Sequence, residues 1–245
     1  MTAHLLVIGA QRCGTTAVHS LLDAHPEITM ARPARPEPKV FLDAEASARG
    51  ASWYRETFFA HADSERLLGE KSTSYLEHGD AADRAAAVLR DAHVLVVLRD
   101  PVARAVSNWR FSTHHGLETR PLELALEENL AGPQPWDPGA TSVSPFAYLE
   151  RGRYVDYLRP WDAAFPGRVH VALLAELVED DHAVPDLFRT LGVDPAAGPR
   201  RLAHGVNSSE GAPPASNRAL EGRMREYYLS SDDALSRRLG RTLPW

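Results

Sequence analysis

Three observations predict an α/β fold in which helices flank a central parallel sheet. Short apolar runs such as His4-Leu5-Leu6-Val7-Ile8 and His93-Val94-Leu95-Val96-Val97-Leu98 have the length and continuity of strands buried on both faces. Segments with apolar residues at helical spacing alternate with these runs, the pattern of a parallel sheet covered by helices. The first run passes through Gly9 into a loop that opens directly on a helical segment. In such folds ligands bind at the carboxyl ends of the strands.

The elements follow in order. After the first strand, Ala17, Val18, Leu21 and Leu22 define a helix from Thr15 to about Ala24, closed by His25-Pro26. Prolines 33, 36 and 38 make residues 31–38 an extended connection into Lys39-Val40-Phe41-Leu42. Trp53, Tyr54, Phe58 and Phe59 anchor a helix through core packing. A short strand over Arg66–Gly69, a helix from about Asp80 to Arg90 and the strand at 93–98 come next. Asp100 before Pro101 is an acidic N-cap ahead of a proline at the first helical position, and starts a helix to about Thr113. Residues 114–147 carry several prolines and glycines around a helical patch near Leu122–Leu130, an irregular excursion able to cover a cleft. Helices near 154–164, 184–191 and 217–239, a strand at 169–173 and a loop over Gly205–Pro214 complete the chain.

Composition limits what such a fold can do. The 245 residues suit a single domain over 1–245, and the 27 basic and 33 acidic side chains leave a net charge of −6. That balance argues against binding nucleic acid or a membrane surface through bulk charge. No apolar run approaches the roughly 18 residues of a membrane span. Cys13, the single cysteine, cannot form an internal disulfide, and the N-terminus lacks a basic secretory start, so a reducing, cytoplasmic setting is expected. The cysteine–histidine spacing of a zinc site is absent, and no metal is expected. Of the 27 basic residues only Lys39 and Lys71 are lysine. Coding bias toward arginine explains the excess, whereas a need for a compact three-donor cation would explain where the two lysines fall.

The loop Gly9-Ala10-Gln11-Arg12-Cys13-Gly14-Thr15-Thr16 lies between a strand and a helix, where backbone amides and the helix dipole bind phosphate. Its glycines match the spacing of the nucleotide P-loop, but Thr15 occupies the position of the P-loop lysine and the cation has moved into the loop as Arg12. A kinase or ATPase depends on that lysine, usually with Mg²⁺. The loop therefore suits a different anion.

The pattern G-x-x-[KR]-x-G-T-[TS] resembles the 5′-phosphosulfate loop of sulfotransferases that use 3′-phosphoadenosine 5′-phosphosulfate. Leu98-Arg99-Asp100-Pro101 through Ser107 resembles their 3′-phosphate element. Glu37-Pro38-Lys39-Val40-Phe41 and Gly69-Glu70-Lys71-Ser72-Thr73-Ser74-Tyr75 resemble two further segments of the heparan-sulfate-type and related bacterial branch. Arg151-Gly152-Arg153-Tyr154, Trp161, Phe165-Pro166, Leu191-Gly192-Val193 and the C-terminal Leu239–Trp245 extend the likeness over nearly the whole chain.

The resemblance implies a P-loop-like sulfotransferase fold that moves a sulfonate to the hydroxyl of a glycan or small molecule without a metal. It implies that Arg12, Cys13, Gly14, Thr15 and Thr16 meet the 5′-phosphosulfate, and that Arg99 and Ser107 grip the 3′-phosphate. Glu37 becomes the general base, and Arg12, Lys71 and Lys39 the catalytic cations. The family usually carries lysine where this chain has Arg12, so acid assistance to the leaving group is reduced. A catalytically silent module binding the same nucleotide is the alternative, and a nucleotide kinase is disfavoured. Glu70 or Lys71 can equally be ion-pair partners, Arg104 a salt-bridge residue, and His114-His115 an alternative base. Trp109, Phe111, Trp136, Phe146 and Tyr148 either line an acceptor pocket within residues 111–150 or pack in the core, and Asn207 is a candidate donor contact.

Overall fold

The structure, a computed structural model, describes residues 2–202 and 217–245. Asn207 and the Gly205–Pro214 loop lie outside the described residues. The chain divides into two compact units, Met1–Leu98 with Arg159–Asn207 and Arg99–Leu158 with Ser208–Trp245, taken here over their described residues.

In chain order the elements are β1 (Ala3–Gly9), α1 (Thr15–Asp23), β2 (Ile28–Met30), α2 (Ala44–Ala48), α3 (Gly50–Phe58), β3 (Leu67–Lys71), α4 (Gly79–Val88) and β4 (His93–Leu98). There follow α5 (Pro101–His114), α6 (Leu122–Asn129), α7 (Tyr154–Ala164), β5 (Val169–Leu173), α8 (Leu174–Glu179), α9 (Ala183–Thr190) and α10 (Arg218–Leu239).

In the first unit five parallel strands run in the order β2-β3-β1-β4-β5. The apolar runs form the centre of this sheet, where Leu5 through Ile8 and Val94 through Leu98 are inaccessible to solvent. Successive side chains point to opposite faces. Leu5, Val7, Leu95 and Val97 pack on one face with Ala17, Val18, Leu21 and Leu22 of α1 and with Leu187 and Phe188 of α9. Each such fully buried aliphatic side chain contributes about 1.5–3 kcal/mol of transfer free energy.

The β1–β3 register pairs Leu6 with Glu70 and Val7 with Lys71. The loop after β1 and the Glu70-Lys71 pair therefore emerge at the same, carboxyl end of neighbouring strands. β3 runs two residues beyond the predicted Arg66–Gly69, because both charged side chains find partners inside the fold.

In the second unit α5 begins as expected, with the Asp100 carboxylate accepting from the Val102 amide at 2.9 Å and Pro101 opening the helix. Its core joins Val102 and Ala105 of α5, Leu122 and Leu126 of α6, Tyr148, and Leu220, Met224 and Tyr228 of α10.

Candidate active site

The loop from Gly9 to Thr16 turns tightly through left-handed backbone at two residues, one on either side of Cys13. Arg12 has φ 67° and Gly14 has φ 80°, both left-handed. The positive φ favours glycine at 14, and a Cβ there would lie 2.6 Å from Leu174 Cδ1, which would have to move aside. Arginine in the left-handed region carries a conformational cost that the surrounding structure must offset, a feature concentrated at functional loops.

The Cys13 amide closes a turn on the Ala10 carbonyl at 3.2 Å, and the Ala10 amide bonds to Val97 at 2.9 Å. Gly14 then caps α1, whose first intrahelical bond runs from the Val18 amide to the Gly14 carbonyl at 3.1 Å. The amides that open a helix point outward without an intrahelical acceptor. Of the predicted anion contacts, Gly14, Thr15 and Thr16 occupy that position, whereas the Cys13 amide serves the loop itself. Cys13 is buried.

At the end of β3, Lys71 Nζ is ion-paired with Glu37 Oε1. The other carboxylate oxygen, Glu37 Oε2, accepts from the Thr73 amide at 3.0 Å and from its hydroxyl at 3.2 Å. The structure thus brings together Glu37, Lys71 and, two residues from Glu37, Lys39, whose amide donates to Ser72 Oγ at 2.9 Å. Lys39 has a left-handed φ of 51°.

Glu70 differs from the ion-pair role open to it in the sequence. It is fully buried and accepts three hydroxyl hydrogen bonds, from Tyr54 at 2.6 Å, Ser72 at 2.5 Å and Tyr75 at 2.7 Å. Burial raises its pKa, and the three hydroxyls work against that rise. Burial, followed by the Glu70 charge, raises both tyrosines well above their ordinary range.

His19 on α1 was not singled out by sequence reasoning. Its imidazole is held below the ordinary value, chiefly by burial, with Asp23, Lys71, Arg32 and Glu37 all contributing to its field. Its spacing from Thr15 and Thr16, four and three residues along α1, was the signal available.

In the second unit the Arg99 carbonyl accepts from the Tyr154 hydroxyl at 2.8 Å. Arg225 of α10 grips both Asp100 carboxylate oxygens at 2.7 Å each. This bidentate pair fixes the corner from which Arg99 projects, and Ser107 follows two turns into α5. Arg104, expected as a salt-bridge residue, is instead fully buried and donates to the Tyr148 carbonyl and to Asn108, with no ion pair among the described residues.

Tyr148 is also core, donating to Glu118 at 2.9 Å. Phe146 and Trp109 pack against the same core. Phe111 is exposed with its ring against His115, and Trp136 is half-buried. Among the described residues no group of three or more His, Cys, Asp or Glu is arranged to hold a metal ion, and no helix is long and apolar enough to cross a membrane.

A parallel sheet whose first strand enters a glycine loop at a helix N-terminus, with a lysine–carboxylate pair at the end of the adjoining strand, defines a P-loop-like α/β protein. The chain belongs to the sulfotransferase family, since the family model described as a sulfotransferase domain matches residues 2–164. It is 29% identical over 195 residues to the bifunctional heparan sulfate N-deacetylase/N-sulfotransferase 2 of Bos taurus, covering 78% of this chain and 22% of that protein. It is 28% identical over 161 residues to the heparan sulfate glucosamine 3-O-sulfotransferase 3A1 of Mus musculus, covering 66% of this chain and 38% of the relative. The chain thus spans well under half the length of these relatives. Its fold matches a sulfotransferase from Alicyclobacillus acidocaldarius with TM-score 0.75 and 24% identity, over 99% of this chain and 98% of that one.

Proposed function

We propose that residues 1–245 act as one sulfotransferase domain that moves a sulfonate from 3′-phosphoadenosine 5′-phosphosulfate to a hydroxyl of a glycan or small molecule. The observation that carries this reading is the Glu37–Lys71 ion pair at the carboxyl end of β3, beside the strand that feeds the Gly9–Thr16 loop. The loop's residues fit such a donor: amides at the start of α1, two threonine hydroxyls and the Arg12 cation suit an anion, and the P-loop lysine is missing. The donor supplies an activated sulfonate with 3′-phosphoadenosine 5′-phosphate as leaving group.

In this reading Arg12, Gly14, Thr15 and Thr16 bind the 5′ end of the donor, with Cys13 shaping the loop between them, and Arg99 and Ser107 take its 3′-phosphate. Glu37 accepts the proton of the acceptor hydroxyl as the oxygen attacks sulfur in line. Arg12 and Lys71 offset negative charge on the transferred group and the leaving phosphate, with Lys39 as a further cation. Residues 111–150 form the acceptor-selecting excursion.

Arg12 itself favours a second reading, a silent module that binds the nucleotide without transfer, because a guanidinium holds its protons too tightly to transfer one to the leaving oxygen. Mass spectrometry of a panel of sugar, phenolic and alkyl hydroxyls incubated with labelled donor separates the two. Sulfonated product supports the enzyme, and nucleotide binding with no product across the panel supports the module.

A further inference from the structure

The buried carboxylate of Glu70 is not used by the mechanism above, yet its contacts lead directly to the segment that carries Glu37. Ser72 Oγ donates to Glu70 Oε1 at 2.5 Å and accepts from the Lys39 amide at 2.9 Å. Tyr75 Oη donates to the same oxygen at 2.7 Å and accepts from the Phe41 amide at 3.1 Å. Each hydroxyl owns one hydrogen. With that hydrogen committed to Glu70, its lone pair is left facing the amide of the 39–41 turn.

Two anchors thus join the end of β3 to the two alternate amides that follow Glu37. The left-handed backbone of Lys39, φ 51°, sits at the first of them. A left-handed lysine is costly and persists only where its surroundings hold it. The third hydroxyl, from Tyr54 of α3, reaches Glu70 Oε2 at 2.6 Å and makes no hydrogen bond to either amide, although its ring, which phenylalanine would keep, packs on Phe41 at 5.7 Å between centroids.

We propose that Glu70 is a positioning residue that sets the placement of Glu37 by orienting the Ser72 and Tyr75 hydroxyls onto the Lys39 and Phe41 amides. The inference rests on Glu37 being the base. It differs from simple core stabilisation in one respect: two of the three hydroxyls also accept from an amide of the 37–41 segment and the third does not.

The test measures turnover with 3′-phosphoadenosine 5′-phosphosulfate and the panel of sugar, phenolic and alkyl hydroxyls, alongside a thermal melt of each variant. Ser72→Ala and Tyr75→Phe are expected to lower kcat by about tenfold or more while the donor KM stays within about twofold, because small displacements of a reacting group are costly. Glu70→Met, which keeps the length of the side chain and removes both acceptor oxygens, is expected to fall similarly. Combining it with Ser72→Ala should cost no more than the worse single change, since both break one link. Tyr54→Phe is expected to lower the melting temperature and leave kcat unchanged.

Turnover of Ser72→Ala and Tyr75→Phe within about twofold of the parent, or losses matched by Tyr54→Phe, overturns the proposal. Glu37→Gln in the same assay separates the two levels. If it is inactive while the hydroxyl variants are normal, only the positioning role fails. If it is fully active, or the parent turns over no acceptor, the base reading fails and the positioning role with it.

Discussion

Lys71 Nζ lies in direct contact with Glu37 Oε1, and the two side chains retain only 9% and 17% of their exposure. A pair so shielded from water has a stronger mutual field than a surface ion pair, and removing one partner strands the other's charge. The remaining Glu37 contacts come from Thr73, in the same segment as Lys71. One short stretch of chain therefore holds the candidate base by charge, by amide and by hydroxyl.

Glu37→Gln is expected to lower kcat by about 100-fold or more, the usual contribution of a general base, with donor affinity close to that of the parent. Steady-state kinetics with labelled donor checks this. An unchanged kcat would remove Glu37 from the mechanism.

Lys71→Met takes the cation from a nearly buried carboxylate and is expected to cost both stability and turnover. The melting temperature should drop, and adding Glu37→Gln to it should restore part of the loss, because the stranded charge is then gone. Strictly additive losses in thermal melts would argue against the pairing.

Arg99→Ala is expected to weaken 3′-phosphoadenosine 5′-phosphate by about tenfold or more and adenosine 5′-phosphate far less, since a guanidinium–phosphate contact is charge-assisted. Calorimetry of the two nucleotides gives the ratio. Equal weakening would place the arginine elsewhere than at the 3′-phosphate.

The His93 and His170 rings meet at 3.0 Å between Nδ1 and Nε2 on adjacent strands, and burial, then the His93 charge, holds the His170 pKa down at about 4. The unfolded chain binds a proton near pH 6.5 and the folded chain only near 4. This contribution to stability is full above about pH 6.5 and is lost as pH falls toward 4. Urea midpoints of the parent and His170→Asn should differ more at pH 7 than at pH 5. A difference independent of pH would contradict a half-buried, neutral His170.

Gly14→Ala forces a side chain into a left-handed position against Leu174, so a loss of about 1–3 kcal/mol in stability is expected, with weakened nucleotide binding. Denaturant titration with and without 3′-phosphoadenosine 5′-phosphate checks both. Full stability would show that the loop can adopt another shape.

Much of the sheet was legible because strands buried on both faces are continuous apolar runs, as at 93–98. The Asp100-Pro101 helix start and the 122–129 and 154–164 helices were legible from capping residues and periodicity. β2 was not, being only Ile28-Thr29-Met30, too short to show a period. Neither was α8, which follows β5 without a breaker between Leu173 and Leu174. In the site, motif spacing selected Glu37 and Lys71, which the structure joins in an ion pair. The hydroxyl cluster around Glu70 was out of reach, because Tyr54 arrives from a separate helix and no spacing rule links it to Glu70. Arg225 escaped for the same reason: it lies 125 residues beyond the Asp100 it grips.

The most direct test is isothermal calorimetry of the folded protein with 3′-phosphoadenosine 5′-phosphate, set beside adenosine 5′-phosphate and ATP with Mg²⁺. Saturable binding of the doubly phosphorylated nucleotide, clearly tighter than either comparison, is the predicted result. Preference for ATP with Mg²⁺, or no binding of the doubly phosphorylated nucleotide, would contradict it.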